Sequence, residues 1–112
     1  MSKSNMDAEE LRRRYAAGER DFSGAKLSRA SLIGANLVGI KLWGADLSGA
    51  NLAKANLTRA NLSGAKLNEA NLRQAKLNYT KLFGASLNGA YYDESTRFSQ
   101  GFDPQSRNMR KV

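Results

Sequence analysis

The stretch ADLSG ANLAK ANLTR ANLSG AKLNE ANLRQ, residues 45–74, places a leucine at every fifth position and, with no exception, an alanine two residues before it. The same period runs without a slip from Arg20 to Gly89, which makes fourteen units. Thirteen of the fourteen central residues are leucine and the other is Phe22, while eleven of the fourteen positions two residues earlier are alanine. The period thus defines two apolar rows, and the remaining three positions are mostly polar or glycine.

A spacing of five fits neither an α-helix nor a flat strand. On a helix successive leucines would be rotated by about 140°, and on a strand they would alternate between two faces. The chain can keep both apolar rows inside only if it turns a corner once per unit, so that each unit forms one side of a closed coil. Successive coils then stack as parallel strands roughly 4.8 Å apart.

The recurring tripeptides resemble the pentapeptide-repeat family. Ala-Asn-Leu begins at residues 35, 50, 55, 60 and 70, and Ala-Asp-Leu begins at residue 45. The resemblance covers about two-thirds of the chain, and it implies four units per coil, right-handed winding and a quadrilateral section. The predicted fold class is therefore all-β, a right-handed quadrilateral parallel β-helix, with a short N-terminal capping helix.

Three segments follow from the pattern: an N-terminal capping helix in residues 1–19, the β-helix in residues 20–90, and a C-terminal cap and tail in residues 91–112. Asp7 is a typical helix N-cap and Gly18 a typical stop, which predicts a helix over residues 8–17 with Leu11 and Tyr15 facing the first coil.

The C-terminal segment contains the aromatic residues Tyr91, Tyr92, Phe98 and Phe102. They predict an end cap over the last leucines, because open repeat ends expose apolar surface and bare strand edges. Asp103-Pro104 predicts a turn or a short helix start, and residues 107–112 are expected to be loose.

With four units per coil, residues twenty apart stack, and one side of the coil differs from the others. Its unit-ending residues, Gly24, Gly44, Gly64 and Gly84, are all glycine, which suggests a tight corner with positive φ. Its outward column reads Ser23, Trp43, Ser63, Phe83.

The candidate interaction face comprises Ile40, Trp43, Gly44, Phe83 and Gly84, because aromatic anchors dominate protein interfaces. The alternative is that the two aromatic rings lie flat over the corner and shield the backbone.

Composition excludes most enzyme designs. The chain has no cysteine and no histidine, which removes thiolate nucleophiles, disulfides, the usual zinc sites and imidazole acid–base chemistry. After Asp21 the repeats hold only the carboxylates of Asp46 and Glu69, with no second acid placed for paired catalysis. We therefore expect no catalytic residue, no metal site, no cofactor and no enzymatic activity.

Positive charge is concentrated on the repeats. The net charge is +8, and residues 20–90 carry ten Lys and Arg against three Asp and Glu. The position before the central leucine holds Asp or Asn seven times, Ser twice and Lys five times. One column of this position, Lys26, Asp46, Lys66 and Ser86, suggests mutual neutralisation on a solvated face.

The charge also bears on function. Some members of the resembled family mimic double-stranded DNA with an acidic surface, and this surface has the opposite sign. The cations are spread over all four sides, which is more typical of a solvated surface than of a nucleic-acid groove.

The sequence predicts a non-enzymatic scaffold or adaptor that presents a rigid surface to a protein partner. The alternative is a binder of nucleic acid or another polyanion through the basic rod. We expect a monomer or an end-to-end homodimer. Because the sequence shows neither a signal-peptide core nor a segment of membrane-spanning length, we expect no membrane association and a cytoplasmic location.

Overall fold

The structure of this protein is a computed structural model that describes residues 6–112; the first five residues of the predicted N-terminal segment lie outside the described residues. The chain enters a helix, α1, at Ala8–Ala16, one residue shorter than expected. The Asp7 carboxylate caps it by accepting a hydrogen bond from the Glu10 backbone N–H at 2.8 Å. Gly18 follows the helix with a φ of 103°, a conformation that favours glycine.

Residues twenty apart lie directly on one another throughout the repeats. Eleven isolated parallel bridges, from Asp21 with Lys41 to Asn71 with Tyr91, all join residues with this separation. Backbone hydrogen bonds join neighbouring coils, with donors taken from each coil in turn. For example, Leu62 N–H donates to the Lys81 carbonyl at 2.7 Å and Lys81 N–H donates to the Ala60 carbonyl at 2.9 Å. Four five-residue units therefore close one coil, and the body measures 38 by 21 by 19 Å.

We name the four sides of the coil by the units that form them in the first coil. Side A is residues 20–24, side B residues 25–29, side C residues 30–34 and side D residues 35–39, and each later coil adds twenty to these numbers.

Regular strands are short because the chain turns a corner in every unit. The described part of the chain contains β1 Lys76–Leu77, β2 Tyr91–Tyr92, β3 Arg97–Phe98 and β4 Arg110–Lys111. β1 pairs with β3 and β2 pairs with β4, both in parallel. Most of the β-structure therefore consists of single bridges rather than long strands.

The leucine and alanine rows form the core. Phe22 and twelve of the thirteen central leucines are buried, while Leu82, in the last unit of side A, is only half-buried. Ile40 and Thr80, which replace alanine, are buried as well. Because the Thr80 hydroxyl donates to the Leu57 carbonyl at 2.9 Å, this polar group is satisfied inside the core.

The residue before each central leucine closes the turn that follows it. All seven Asp and Asn residues in this position accept a hydrogen bond from the backbone N–H two residues later, at 3.0 to 3.3 Å. Such side chains mimic a backbone turn. Lysine has no acceptor, so the five lysine units lack this bond.

We expect Asn56→Ala to lower the free energy of unfolding by about 1–2 kcal/mol, because Asn56 Oδ1 accepts from both the Thr58 N–H at 3.1 Å and the Thr58 hydroxyl at 2.6 Å. Lys76 lies on Asn56 in the next coil. Lys76→Asn supplies the missing acceptor and should raise the free energy of unfolding by about 0.5–1.5 kcal/mol. Urea denaturation of both variants measures the two signs, and an Asn56→Ala chain as stable as the wild type would contradict the turn-closing role.

Helix α1 lies against sides C and D of the first coil. Leu11 is completely buried in the common core. The Tyr15 hydroxyl donates to the Val38 carbonyl at 2.7 Å and the Arg12 guanidinium donates to the Ile33 carbonyl at 3.1 Å. No helix within residues 6–112 combines the length and apolar composition needed to cross a membrane, and the cytoplasmic location stays a prediction.

The C-terminal residues pack against the last coil, which corrects the expectation that residues 107–112 are loose. The Arg107 guanidinium donates to the Leu82 and Ala85 carbonyls at 3.2 and 2.7 Å. Met109 is only 9% exposed, and the Val112 N–H donates to the Tyr92 carbonyl at 2.8 Å. The physical reason for this packing is that β4 pairs with the peptide groups along the edge of β2. Without β4, that edge would be bare.

Three of the four C-terminal aromatic residues form a cluster. Tyr92 and Phe98 meet edge to face with ring centroids 5.6 Å apart, and Phe98 stacks on Phe102 at 4.7 Å. A short 3₁₀ helix, Gln105–Arg107, follows Pro104, where the sequence predicted a turn or helix start.

Asp93 ties this segment to the coil beneath it. Its Oδ1 accepts hydrogen bonds from the Gln74 N–H at 3.1 Å, the Ser95 N–H at 3.0 Å and the Thr96 hydroxyl at 3.2 Å. Burial raises the pKa of this carboxyl, but the hydrogen bonds together lower the pKa by more than burial raises it. The pKa in the folded protein therefore lies below its ordinary value of 3.8. A depressed folded pKa contributes stability that is present above the ordinary pKa and is lost as the pH falls through the folded pKa.

We therefore expect amide exchange at Gln74 and Ser95 to accelerate, relative to unstructured peptide, once the pH falls below about 4. Asp93→Asn keeps a carbonyl oxygen in place of the carboxylate and should remove this acid step. Hydrogen exchange followed by NMR from neutral to acidic pH measures both chains. If amide exchange in Asp93→Asn still accelerates at acidic pH as in the wild type, protonation of another group causes the acceleration.

A candidate interaction face

Side A presents three outward columns, each with one residue per coil. The polar column is Asp21, Lys41, Asn61 and Lys81; the middle column is Ser23, Trp43, Ser63 and Phe83; the glycine column is Gly24, Gly44, Gly64 and Gly84. Phe22 and the leucines between the polar and middle columns point inward.

The structure brings four of the five predicted face residues together on this surface. Trp43 is 55% exposed and Phe83 is 89% exposed, and Gly44 and Gly84 beside them are exposed as well. Ile40 is fully buried, so it cannot contact a partner and is removed from the candidate face. The reason is that Ile40 stands two residues before the central leucine of its unit. This position belongs to the alanine row, which points into the core.

The two aromatic rings flank a shallow, mostly apolar depression of about 530 Å³. Asn61, Ser63, Gly64 and Gly84 complete its lining. Ser63 and Ser23 are both half-buried. The middle column therefore alternates between a recess and a projecting ring.

A positive φ favours glycine at the end of every unit, so backbone conformation does not distinguish the glycine column of side A from the other sides. The unit-ending residue has a φ between 60° and 74° in all fourteen units. On the other sides Arg29, Lys54 and Tyr79 take this conformation with φ between 60° and 64°. The tight corner predicted from the sequence is therefore common to all four sides, which corrects the idea that it distinguishes side A.

Crowding within the chain does not explain the glycine column either. A Cβ atom at Gly24 or Gly44 would meet nothing within 4 Å, and one at Gly64 or Gly84 would meet only a backbone nitrogen at an ordinary 3.9 Å. What glycine provides at these four positions is a flat strip beside the aromatic residues.

A second pocket, of about 400 Å³, lies where side A meets the C-terminal segment. Phe83 and Gly84 form one wall and Gln100, Phe102 and Arg107 form the other. The sequence did not indicate this pocket, because residues 100–107 follow no five-residue period.

On side B, Lys26, Asp46, Lys66 and Ser86 stack in the predicted order. The Asp46 carboxylate accepts from the Ser48 N–H at 3.0 Å, and among the described residues no lysine nitrogen lies within 4.0 Å of it. Hydrogen bonds from Ser48 are the main reason that the pKa of Asp46 is lowered, and the nearby Lys66 and Lys26 lower it less. Asp46 therefore serves its own turn first, and the two lysines stacked on it stabilise its charge to a smaller extent without a direct ion pair.

Two carboxylates of the chain have structural roles. Asp46 and Asp93 hold turns and both have a lowered pKa, whereas a general acid at neutral pH needs a raised one. Within residues 6–112, no three His, Cys, Asp or Glu side chains come together as metal ligands would.

The family model for pentapeptide repeats matches residues 21–59 and 55–91, with eight copies. The solved structure of alr5209, a pentapeptide repeat protein from Nostoc Pcc 7120, is 31% identical, is covered in full by the whole of this chain, and has a TM-score of 0.49.

Two further solved structures are similar over part of their length. Rfr23, a pentapeptide repeat protein from the cyanobacterium Cyanothece 51142, is 34% identical over 70% of this chain and 63% of its own, with a TM-score of 0.38. HetL, a pentapeptide repeat protein involved in heterocyst differentiation regulation from Nostoc sp. strain PCC 7120, is 29% identical over 84% of this chain and 57% of its own, with a TM-score of 0.39. The search of curated proteins found no match.

Proposed function

The chain belongs to the pentapeptide-repeat family, and from that premise we propose that it is a non-enzymatic scaffold or adaptor that presents side A to a protein partner. Family membership implies a right-handed quadrilateral β-helix, and such a rod holds its surface side chains at fixed spacings. In this proposal α1 and residues 91–112 act as end caps that keep rods from joining through their leucine layers.

One observation carries the proposal: two large aromatic side chains project from one flat side. Trp43 and Phe83 share a column, and the strip beside them has no side chains. Within the repeats, the other large exposed apolar residues are Ile33 on side C and Tyr79 on side D, each alone on its side. Aromatic residues that become buried at an interface supply much of its binding energy.

Affinity capture from the native source tests this function. The bait is the full chain, the test variant is Trp43→Ser/Phe83→Ser, and the matched control is Ile33→Ser/Tyr79→Ser, which removes the same number of large exposed side chains from other sides. We expect a protein partner that the wild type and the control retain and the test variant loses, with and without nuclease. Retention by the test variant would remove side A from the proposal.

A second candidate is binding of nucleic acid or another polyanion, which the charge favours. Residues 20–90 carry ten Lys and Arg against three Asp and Glu, and neutralising phosphates releases counterions. The same capture separates this candidate, because its partner disappears with nuclease and its affinity falls steeply with salt. Mimicry of DNA is disfavoured, since the surface of a mimic is acidic.

A further inference from the structure

We propose that the end of side A, in the fourth coil, binds one extended strand of a protein partner, which continues the parallel ladder of this side. This site rests on the proposed function, because it describes how a partner of side A is held at one end of the rod. Three features support it: a row of main-chain groups without partners, a pocket on that row, and a single positive charge in the pocket.

Each coil of side A makes three main-chain hydrogen bonds to the coil that follows it. In the third coil the N–H groups of Leu62 and Gly64 donate to carbonyls of the fourth coil at 2.7 and 2.9 Å, and the Ala60 carbonyl accepts from an N–H of the fourth coil at 2.9 Å. The first and second coils make the same three bonds. Each coil edge on this side therefore offers two donors and one acceptor in a fixed order.

In the fourth coil these three groups have no partner. They are the N–H groups of Leu82 and Gly84 and the carbonyl of Thr80, and none of them is hydrogen-bonded to any residue within 6–112. Leu82 is half-buried and Gly84 is exposed, so a ligand can reach the row. An unpaired strand edge of this kind is a template for a further strand.

The C-terminal segment continues the other three sides of the coil and omits this one. β3 pairs with β1 on side D, β4 pairs with β2 on side C, and on side B the Gly89 N–H donates to the Asn108 carbonyl at 2.9 Å. Residues 99–104, which connect β3 to the 3₁₀ helix, make no main-chain hydrogen bond to side A in the described part of the chain. Side A is therefore the side on which the ladder stops.

The pocket of about 400 Å³ lies on this open row. Thr80, Leu82 and Gly84 line it, and Phe102 and Arg107 belong to its other wall. The two donors are two residues apart, so they require two carbonyls that are also two residues apart in the incoming strand. The residue between those carbonyls takes the register of Leu82 and points its side chain at the core. Since Leu82 and Phe102 are both half-buried, an apolar side chain at that place removes apolar surface from water.

Charge selects a second residue of the incoming strand. Among the described residues that line the pocket, Arg107 alone is charged. Its Nη2 donates to the Leu82 and Ala85 carbonyls at 3.2 and 2.7 Å, and the guanidinium has further N–H donors for a carboxylate. Because Ala85 begins side B, a carboxylate two residues after the apolar residue comes nearest to Arg107. A second copy of the chain would instead bring a further net charge of +8 to this end, so an acidic partner is favoured.

The expected partner segment is extended and carries an apolar residue followed two positions later by Asp or Glu. Main-chain bonds give complexes of this kind their affinity, and side-chain pockets give them specificity. A probe with these features is the peptide acetyl-Ser-Ser-Val-Leu-Thr-Glu-Ser-amide. Its Leu takes the register of Leu82, its Val and Thr carbonyls meet the two free N–H groups, and its Glu faces Arg107.

Hydrogen exchange of the full chain, followed by NMR, tests the edge without changing the protein. In the free protein we expect the Leu82 and Gly84 amides to exchange faster than those of Leu62 and Gly64, which are bonded to the fourth coil. Saturating probe should slow exchange at Leu82 and Gly84 about tenfold or more. The Leu62 and Gly64 amides should not change, which makes the third coil the internal control.

Two N-methylated probes, compared by NMR titration, test whether main-chain pairing holds the strand. Methylation of the Val nitrogen removes the N–H that donates to the Thr80 carbonyl and should weaken binding about tenfold. Methylation of the Thr nitrogen is the matched control, because the residues in its register, Trp43, Ser63 and Phe83, donate no N–H to the coil beneath them. It should change the affinity less than about twofold.

A third probe, with Gln in place of Glu, tests the charge. It should bind about fivefold more weakly than the parent peptide, and its affinity should depend less on salt because the ion pair with Arg107 is absent. Equal affinities for the two peptides would remove the acidic residue from the expected segment and overturn that part of the site.

Exchange at Leu82 and Gly84 that does not slow at about 5 mM probe would overturn the site, as would equal losses of affinity for the two methylated probes. Protection that rises with protein concentration in the absence of probe would assign the edge to a second copy. Amides in the free protein as protected as those of the third coil would show that the chain closes its own edge. Either result overturns the partner strand. The proposed function fails separately: a partner that is captured through Trp43 and Phe83 but leaves Leu82 and Gly84 unprotected keeps the adaptor and removes the strand.

Discussion

Leu62→Ala is expected to lower the free energy of unfolding by about 3–5 kcal/mol. Leu62 is completely buried in the third coil, in one row with Leu42 and Leu82. The cavity cannot collapse easily, because hydrogen-bonded ladders on both sides of the residue fix the spacing of the coils. Small domains unfold at a cost of roughly 5–15 kcal/mol, so this one substitution removes a large share of the stability.

Leu82→Ala is the matched control for that prediction. Leu82 has the same place in the unit but is only half-buried at the end of the row, so we expect a loss of about 1–2 kcal/mol. Urea denaturation of the two variants measures the difference. Equal losses would contradict the account in which Leu62 is fully enclosed by neighbouring coils and Leu82 is partly exposed at the end of the row.

A chain that ends at Gly101 is expected to lose about 4 kcal/mol or more of unfolding free energy. The deletion removes the stacked ring of Phe102, the two hydrogen bonds of Arg107 to the last coil, the buried Met109 and the pairing of β4 with β2. It also leaves the edge of β2 bare, and bare edges pair with other chains. Thermal unfolding measures the first effect, and light scattering is expected to show self-association.

Lys111→Ala is the control for the shortened chain, because it changes the charge of the tail and leaves its packing in place. Lys111 lies in β4 and is exposed, so we expect a change within about 0.5 kcal/mol. A shortened chain that unfolds at the wild-type temperature and stays monomeric would show that residues 102–112 contribute nothing to the cap.

The five-residue period predicted the coil because every unit solves the same packing problem with the same residues. Leucine and alanine point inward wherever the period holds, and the seven Asp and Asn residues close their turns locally. The last coil could not be predicted in this way. Its pairings join Lys76 with Arg97 and Tyr91 with Arg110, separations of 21 and 19 residues, so the register changes twice where the repeat has ended.

The candidate face was predictable in part, for a related reason. Column order follows from the period, so the exposure of Trp43 and Phe83 could be expected from the sequence. Ile40 was wrongly included, because the same period places it in the alanine row, whose side chains point inward. The role of the glycine column could not be read from the sequence, since only the backbone angles show that side chains tolerate the same corner on the other sides.

The central claim is that Trp43 and Phe83 serve contacts outside the chain and not the fold itself. Urea denaturation of Trp43→Ser/Phe83→Ser, at a concentration where the protein is monomeric, tests it most directly. We predict an unfolding free energy within about 1 kcal/mol of the wild type, as for Ile33→Ser/Tyr79→Ser. A loss of more than about 3 kcal/mol would show that the rings stabilise the coil, and would contradict the claim.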